Sequence, residues 1–188
     1  MTTYTIPAPI QQVIDTTIGK EGRYSNDSHD PGGETIWGIT VGVAREEGYT
    51  GPMKDMPRAT ACQIYYSRFF LKPHFDLVYS VSPKVAEELF DTGVNMGPTY
   101  PQLWYQQWLN VFNNEGKDYA DIVEDGQIGS KTIAAHKGLI AKRGQTAADD
   151  VMLKGLNADQ ACRYKDIARS RTANERYEFG WIANRVGF

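Results

Sequence analysis

The sequence predicts a mainly α fold with one small β element near residue 30. The chain has 188 residues, the length of a single domain, and its 41% hydrophobic and 23% charged content is ordinary for a globular protein. Apolar residues recur at helical spacing along most of the chain. A stretch rich in Gly, Pro, Asn and Asp over 22–38 interrupts that pattern and favours a loop or a short β-hairpin.

Charge and aromatic content narrow the class of function. The chain has 20 Lys and Arg against 23 Asp and Glu, a net charge of −3, which is a poor match for a nucleic-acid-binding protein. Aromatic residues make up 12%, and such side chains fill cores and also line grooves that hold sugars, bases or peptides. The composition excludes a disordered chain, a disulfide scaffold and a membrane-spanning protein, and leaves a soluble protein with a groove.

The helices can be predicted in order from their boundaries. The first spans roughly 9–20, a short one covers 40–47, and a third begins at Arg58 and is stopped by Pro73. Ser82 is predicted to cap the next helix, with a proline at its first position. The buried side of that helix is expected to hold Val85, Ala86, Leu89, Phe90 and Val94.

The second half of the chain is predicted to be helical apart from a polar loop over 113–129. Further helices are expected near 130–141, 146–172 and 174–186. Before the loop, an amphipathic helix is indicated by Leu103, Trp104, Gln107, Trp108, Val111 and Phe112. Its aromatic residues favour a place in the core over a platform for sugars.

The cysteines and the N-terminus predict the compartment. Cys62 and Cys162 are interpreted as two small buried hydrophobes of a reducing compartment rather than as a disulfide. No Lys or Arg precedes Lys20 and no continuous apolar stretch is present, which predicts neither a signal peptide nor a transmembrane anchor. Synthesis in the cytoplasm and a separate route of export are therefore expected.

The junction at Glu21 is the place where the sequence suggests chemistry. A carboxylate at a helix end, followed by a turn-rich segment with a second carboxylate, can place two acids across one cleft; the candidate partners are Asp27, Asp30 and Glu34. Glycoside hydrolysis needs such a pair, one to protonate the leaving oxygen and one to activate water or stabilise positive charge. The alternative is that these groups are solvated surface residues. The isolated histidines predict no metal site and no cofactor.

Three short motifs carry a family resemblance: EGRYSND over 21–27, DPGGET over 30–35 and WGIT over 37–40. This run resembles the signature of the glycoside hydrolase family 108 N-acetylmuramidases, lysozyme-like phage endolysins and bacterial secretion-associated muramidases. It departs from the family pattern at Arg23, where Gly is usual, and at Trp37, where Phe or Tyr is usual. Neither departure removes a carboxylate.

The resemblance extends along nearly the whole chain, through FDTGVNMG over 90–97, DGQIGSKT over 125–132 and FGWIANRV over 179–186. It implies a single lysozyme-like α+β domain with a small β-hairpin after the first helix. Residues 1–92 would form the catalytic part, and residues 93–188 a helical part that resembles a peptidoglycan-binding region.

The resemblance also implies roles for single residues. Glu21 matches the family's catalytic glutamate and is expected to act as general acid. Asp30 is expected to be the second carboxylate, with a purely structural role in the following Pro-Gly turn equally open. Thr40, in preference to Thr35, is expected to hold a water molecule at the site.

Substrate contacts are expected from three further residues. Tyr24 and Trp37 would lie beside the sugars, and Asn95 would bind an N-acetyl group. The alternative for Asn95 is that it satisfies a backbone group of the 22–40 loop.

The implied reaction is hydrolysis of the β-1,4 bond between N-acetylmuramic acid and N-acetylglucosamine in peptidoglycan, leading to bacterial cell-wall lysis. The expected partners are peptidoglycan glycan strands and a holin or secretion system for export, with no nucleic acid, no stable membrane association and a monomeric state. The site of action would be the periplasm or cell wall. A lytic transglycosylase and a non-catalytic peptidoglycan-binding module remain the alternatives.

Overall fold

The protein is built from helices and one small sheet, as predicted. The computed structural model describes residues 2–21, 24–26, 33–170 and 175–187. Within these ranges it contains nine α-helices and one two-stranded antiparallel sheet, so the mainly α prediction with a small β-hairpin after the first helix is confirmed.

The chain divides into two compact units, Met1–Lys72 and Pro73–Phe188. The elements of the first unit are α1 (Ala8–Glu21), β1 (Thr35–Ile36), β2 (Ile39–Thr40), α2 (Val41–Glu46) and α3 (Arg58–Tyr65), followed by a π-helical segment (Tyr66–Leu71). In α1, Ile10, Ile14 and Ile18 repeat every fourth residue and are almost completely buried. This apolar stripe fixes α1 in the unit, where it packs against α3.

The hairpin of the first unit is tight. Thr35 lies opposite Thr40, and Ile36 lies opposite Ile39. The two residues between the strands, Trp37 and Gly38, have φ values of 56° and 74°. Positive φ at both central residues is what a type I′ turn requires, and such turns match the twist of the flanking strands. The hairpin spans residues 35–40 and so lies at the C-terminal end of the turn-rich stretch over 22–38.

The second unit is entirely helical among the residues described. Its elements are α4 (Phe75–Tyr79), α5 (Pro83–Met96), α6 (Thr99–Val111), α7 (Ser130–Arg143), α8 (Gln145–Ser170) and α9 (Glu175–Arg185). The long helix α8 packs against α5, α6, α7 and α9, and α5 also packs against α4 and α6. The core of this unit thus lies around α5 and α8.

The predicted start of α5 is confirmed. The Ser82 side chain accepts a hydrogen bond from the Val85 N–H at 3.4 Å, and Pro83 occupies the first helical position. Gly97, with φ of 88°, ends the helix. Four of the five predicted core residues are fully buried, namely Val85, Ala86, Leu89 and Phe90.

Helix α6 exists as predicted, but the prediction of its buried face is wrong. Tyr105 and Leu109 are fully buried, whereas Val111 is 67% exposed. Trp104, Trp108 and Phe112 are half-buried and do not belong to the core. The reason is that α6 has apolar residues on more than one side, and its Tyr105 face is the one turned inward.

Two smaller expectations also need correction. Cys62 and Cys162 are free thiols, but only Cys62 is buried; Cys162 lies on an exposed side of α8. Helix α4 was not predicted, because five residues are too few to show a helical period. No helix in the described part of the chain combines the length and the apolar character needed to cross a membrane.

Candidate active site

Glu21 is the last residue of α1. Its backbone lies where the helix ends and the segment that leads to the hairpin begins. This is the junction that the sequence indicated. The side chain of Glu21 and the whole of Asp27 and Asp30 lie outside the described residues. Their catalytic roles therefore stay predictions.

Tyr24 and Glu34 form a hydrogen-bonded pair beside the hairpin. The Tyr24 hydroxyl donates to Glu34 Oε1 at 2.9 Å. Ser25 pairs with Thr35 through two backbone hydrogen bonds of 2.9 Å. This pairing brings the neighbouring side chains of Tyr24 and Glu34 together. The hydrogen bond to Glu34 raises the pKa of Tyr24 above its ordinary value, with burial and the Glu34 charge acting in the same direction. Tyr24 is thus a neutral donor that holds one of the three candidate partner carboxylates.

Trp37 lies at the tip of the hairpin in a left-handed conformation. A positive φ at a bulky residue costs on the order of 1 kcal/mol or more and persists only where the surroundings hold it. Two hydrogen bonds hold it here: Trp37 Nε1 donates to the Met56 carbonyl at 2.9 Å, and the Tyr65 hydroxyl donates to the Trp37 carbonyl at 3.1 Å. The half-buried indole is therefore fixed in place.

Sequence reasoning missed the supporting roles of Met56 and Tyr65. Tyr65 is buried, and its hydroxyl fixes the hairpin tip. Met56 contributes only a backbone carbonyl, which leaves no signal in the side chain. The two contacts join residues 19 and 28 positions apart, a separation over which local patterns give no information.

Thr40 is the N-cap of α2. Its Oγ1 accepts from the Val43 N–H at 3.4 Å, and its backbone is extended, as an N-cap requires. A threonine hydroxyl keeps a proton to donate while it accepts such a bond. Thr35, the alternative third residue, lies directly opposite Thr40 in the sheet and donates to the Gly33 carbonyl at 3.4 Å. The water-holding role of Thr40 stays a prediction.

Asn95 lies near the C-terminal end of α5 in the second unit, and its side chain is exposed. Its Nδ2 donates to the Asp91 carbonyl at 2.6 Å and to Asp91 Oδ2 at 3.3 Å. These bonds to the preceding turn explain how an asparagine is accommodated inside a helix. The predicted contact with an N-acetyl group is not tested by this geometry.

These features define a mainly α, lysozyme-like fold: a first helix that ends in a glutamate, a small antiparallel hairpin after it, and a helical second unit. The solved structure of SagA from Brucella abortus has a similar fold, with a TM-score of 0.58 and 21% sequence identity over 93% of this chain and 94% of that chain. Comparison with curated proteins gives no match.

Comparison with family models gives two matches that follow one another along the chain. Residues 14–97 match the model described as Glycosyl hydrolase 108, and residues 100–186 match the model described as a predicted peptidoglycan domain. The family resemblance that the motifs predicted is therefore confirmed over residues 14–97, and the two matches together support a glycoside hydrolase that acts on peptidoglycan.

The boundary between the two family matches does not coincide with the boundary between the two compact units. The two family models meet between residues 97 and 100, whereas the compact units divide after Lys72. Helix α5 thus falls within the hydrolase match and within the second compact unit. The predicted division between 92 and 93 stays a prediction.

Proposed function

We propose that the protein is an N-acetylmuramidase that hydrolyses the β-1,4 bond between N-acetylmuramic acid and N-acetylglucosamine. The observation that carries this proposal is the position of Glu21 at the end of α1, inside the stretch that matches the family and at the start of the segment that leads to the hairpin. Tyr24 and Trp37, the two aromatic residues expected beside the sugars, belong to the same stretch.

In this mechanism Glu21 protonates the glycosidic oxygen as general acid. Asp30, together with Thr40, positions water or stabilises the positive charge that develops at the anomeric carbon. Tyr24 and Trp37 contact the sugar rings, and Asn95 binds an N-acetyl group. The separation of the two carboxyl groups decides whether the configuration is retained or inverted.

The biological setting belongs to the same proposal. A monomeric endolysin is made in the host cytoplasm, reaches the wall through a holin and lyses the cell; a secretion-associated muramidase uses a dedicated secretion system instead. The net charge of −3 is unfavourable for attraction to an anionic wall from a distance. Release next to the substrate removes that disadvantage.

Muropeptide analysis of digested sacculi tests the proposed reaction. The wild-type protein is expected to release fragments with reducing N-acetylmuramic acid ends. Glu21→Gln keeps the size of the side chain but cannot donate the proton, so release is expected to fall by about a hundredfold or more. Glu46→Gln is the matched control, since it makes the same change at an exposed carboxylate of the first unit that is paired with Arg68 at 2.6 Å.

Three outcomes would contradict the proposal. Products with 1,6-anhydro ends identify a lytic transglycosylase. Binding to sacculi without any product identifies a peptidoglycan-binding module. Near wild-type release by a folded Glu21→Gln variant removes the general-acid role from this residue.

A further inference from the structure

An open cavity of about 450 Å³ lies in the second unit, where the C-terminal ends of α6 and α7 meet the first turns of α8. This volume lies within the range of small-ligand sites. The apolar part of its lining consists of Val111, Phe112, Leu139, Ala147, Ala148 and Val151. Val111 and Val151 are 67% and 44% exposed, so apolar surface faces the solvent at this place.

Local sequence explains why the helices leave a space here. Only Gly144, with φ of 81°, separates the end of α7 from the start of α8. This sharp turn brings the two helix ends close together. Ala147 and Ala148 then place the smallest side chains of the first α8 turns against the gap, so it stays unfilled.

The cation Arg143 lines this cavity. Arg143, the last residue of α7, has a side chain that is 53% exposed and lies 3.5 Å from Asp118. Lys142 reaches the same carboxylate more closely, at 3.0 Å. A guanidinium carries five N–H donors in a planar fork that suits carboxylates. The long contact with Asp118 therefore leaves donors of Arg143 available to a second carboxylate.

We propose that this cavity binds the peptide stem of peptidoglycan, with an alanine methyl group against the apolar wall and a free carboxylate on Arg143. The proposal rests on the proposed function in one respect, that peptidoglycan is the substrate. All the lining residues fall within the stretch 100–186 that matches the predicted peptidoglycan domain.

The chemistry of the lining favours the stem over the glycan. Sugar chains present hydroxyl and amide groups, which call for a site rich in hydrogen-bonding side chains. Among the described residues, this cavity offers mainly apolar surface, the Asn114 amide and the Arg143 guanidinium. A short peptide of small apolar residues with free carboxylates matches that combination in shape and in charge.

Titration with a synthetic stem tetrapeptide that contains alanine and free carboxylates tests the proposal directly, because binding is measured without hydrolysis. Arg143→Glu reverses the charge at the cavity, and Val151→Asp places a carboxylate on its apolar wall. Each is expected to weaken binding about tenfold or more. The control is Lys137→Glu, the same charge reversal at an exposed position of α7 outside the lining, which is expected to bind like wild type.

Cosedimentation with sacculi separates the stem from the glycan. Both cavity variants are expected to bind intact sacculi more weakly than the wild type and to bind peptide-stripped glycan like the wild type, with unchanged melting temperatures. Equal losses on stripped glycan would overturn the proposal in favour of a glycan site, and wild-type binding of both variants to the tetrapeptide would overturn it outright. Failure of the proposed hydrolysis shows separately, as an absence of reducing ends from the wild-type protein.

Discussion

Asp30 and Glu34 are both candidates for the second carboxylate of the proposed active site. Glu34 already accepts a hydrogen bond from the Tyr24 hydroxyl at 2.9 Å, a contact that fixes its position beside the hairpin. Its backbone carbonyl also accepts from the Val41 N–H at 2.8 Å, where β2 leads into α2. These contacts give Glu34 a structural part at the hairpin, while the catalytic role predicted for Asp30 stays a prediction.

Paired substitutions distinguish the two carboxylates. Asp30→Asn is expected to lower the rate of sacculus hydrolysis by more than about tenfold, the scale for losing a general acid–base group. Glu34→Gln keeps an oxygen that accepts from Tyr24, so most of the activity is expected to remain. Initial rates of reducing-end release measure both, with melting temperatures to confirm folding. The reverse ranking would transfer the role of second carboxylate to Glu34.

At the scale of the secondary-structure elements, the contact between α6 and α8 is one of those that build the second unit. Residues four apart on α8 meet residues of α6. The indole of Trp108 lies over Gly155, where an added Cβ would come within 2.5 Å of the ring, and its Nε1 donates to Asp159 at 2.7 Å. Further along, the Arg163 guanidinium lies 4.5 Å from the centre of the Tyr100 ring. Gly155 thus allows the close approach of the two helices.

Gly155→Ala is expected to destabilise the protein by about 1–3 kcal/mol, the usual cost of overpacking, although alanine is the better helix former. The large indole cannot withdraw without losing its bond to Asp159. Gly19→Ala in α1 is the control, because nothing lies within 4 Å of an added Cβ there, and it is expected to be neutral or stabilising. Chemical denaturation measures both. A Gly155→Ala protein as stable as the wild type would show that the helices separate without cost.

The same elements show how far sequence reasoning reaches. The start of α5 was predictable because a capping serine followed by proline is a local signal. The buried face of α6 could not be predicted, because Trp104 and Trp108 repeat at the same spacing as Tyr105 and Leu109. Only the position of α8 decides which of these two faces is buried. At the site, Glu21 was recognisable by its motif, whereas the contacts of Trp37 with Met56 and Tyr65 depend on the folded chain.

At the scale of the whole molecule, two ionisable groups of the second unit, the half-buried Glu88 and the buried His136, act on stability in opposite directions. Burial, followed by the negative charge of Asp91, raises the pKa of Glu88 to about 7, although Thr92 donates a hydrogen bond to it at 3.2 Å. Burial lowers the pKa of His136 to about 4, and the nearby charge of Asp149 offsets this only in part. Each group therefore favours its neutral form in the folded protein.

The signs follow from which state of the protein binds more protons. For Glu88 the folded pKa lies above the unfolded value of 4.5, so its favourable contribution is complete below pH 4.5 and is lost as the pH rises through 7. For His136 the folded pKa lies below the unfolded value of 6.5, so its contribution is complete above pH 6.5 and is lost as the pH falls through 4. Between these limits the two contributions to the free energy of unfolding compensate each other.

Substituting either group is expected to remove this compensation, so that the free energy of unfolding of the variant changes with pH. Relative to the wild type, Glu88→Gln is expected to gain stability as the pH rises from about 4.5 to 7, with a slope of up to about 1.4 kcal/mol per pH unit, because the repulsive charge no longer forms. His136→Gln is expected to gain relative stability as the pH falls from about 6.5 to 4, because no buried imidazole then resists protonation. Denaturant unfolding at a series of pH values measures the difference from the wild type and cancels the groups that the variants share. Differences that do not change with pH would show that both side chains keep ordinary pKa values in the folded protein, and a slope of the opposite sign in either variant would contradict the assignment of burial as the cause.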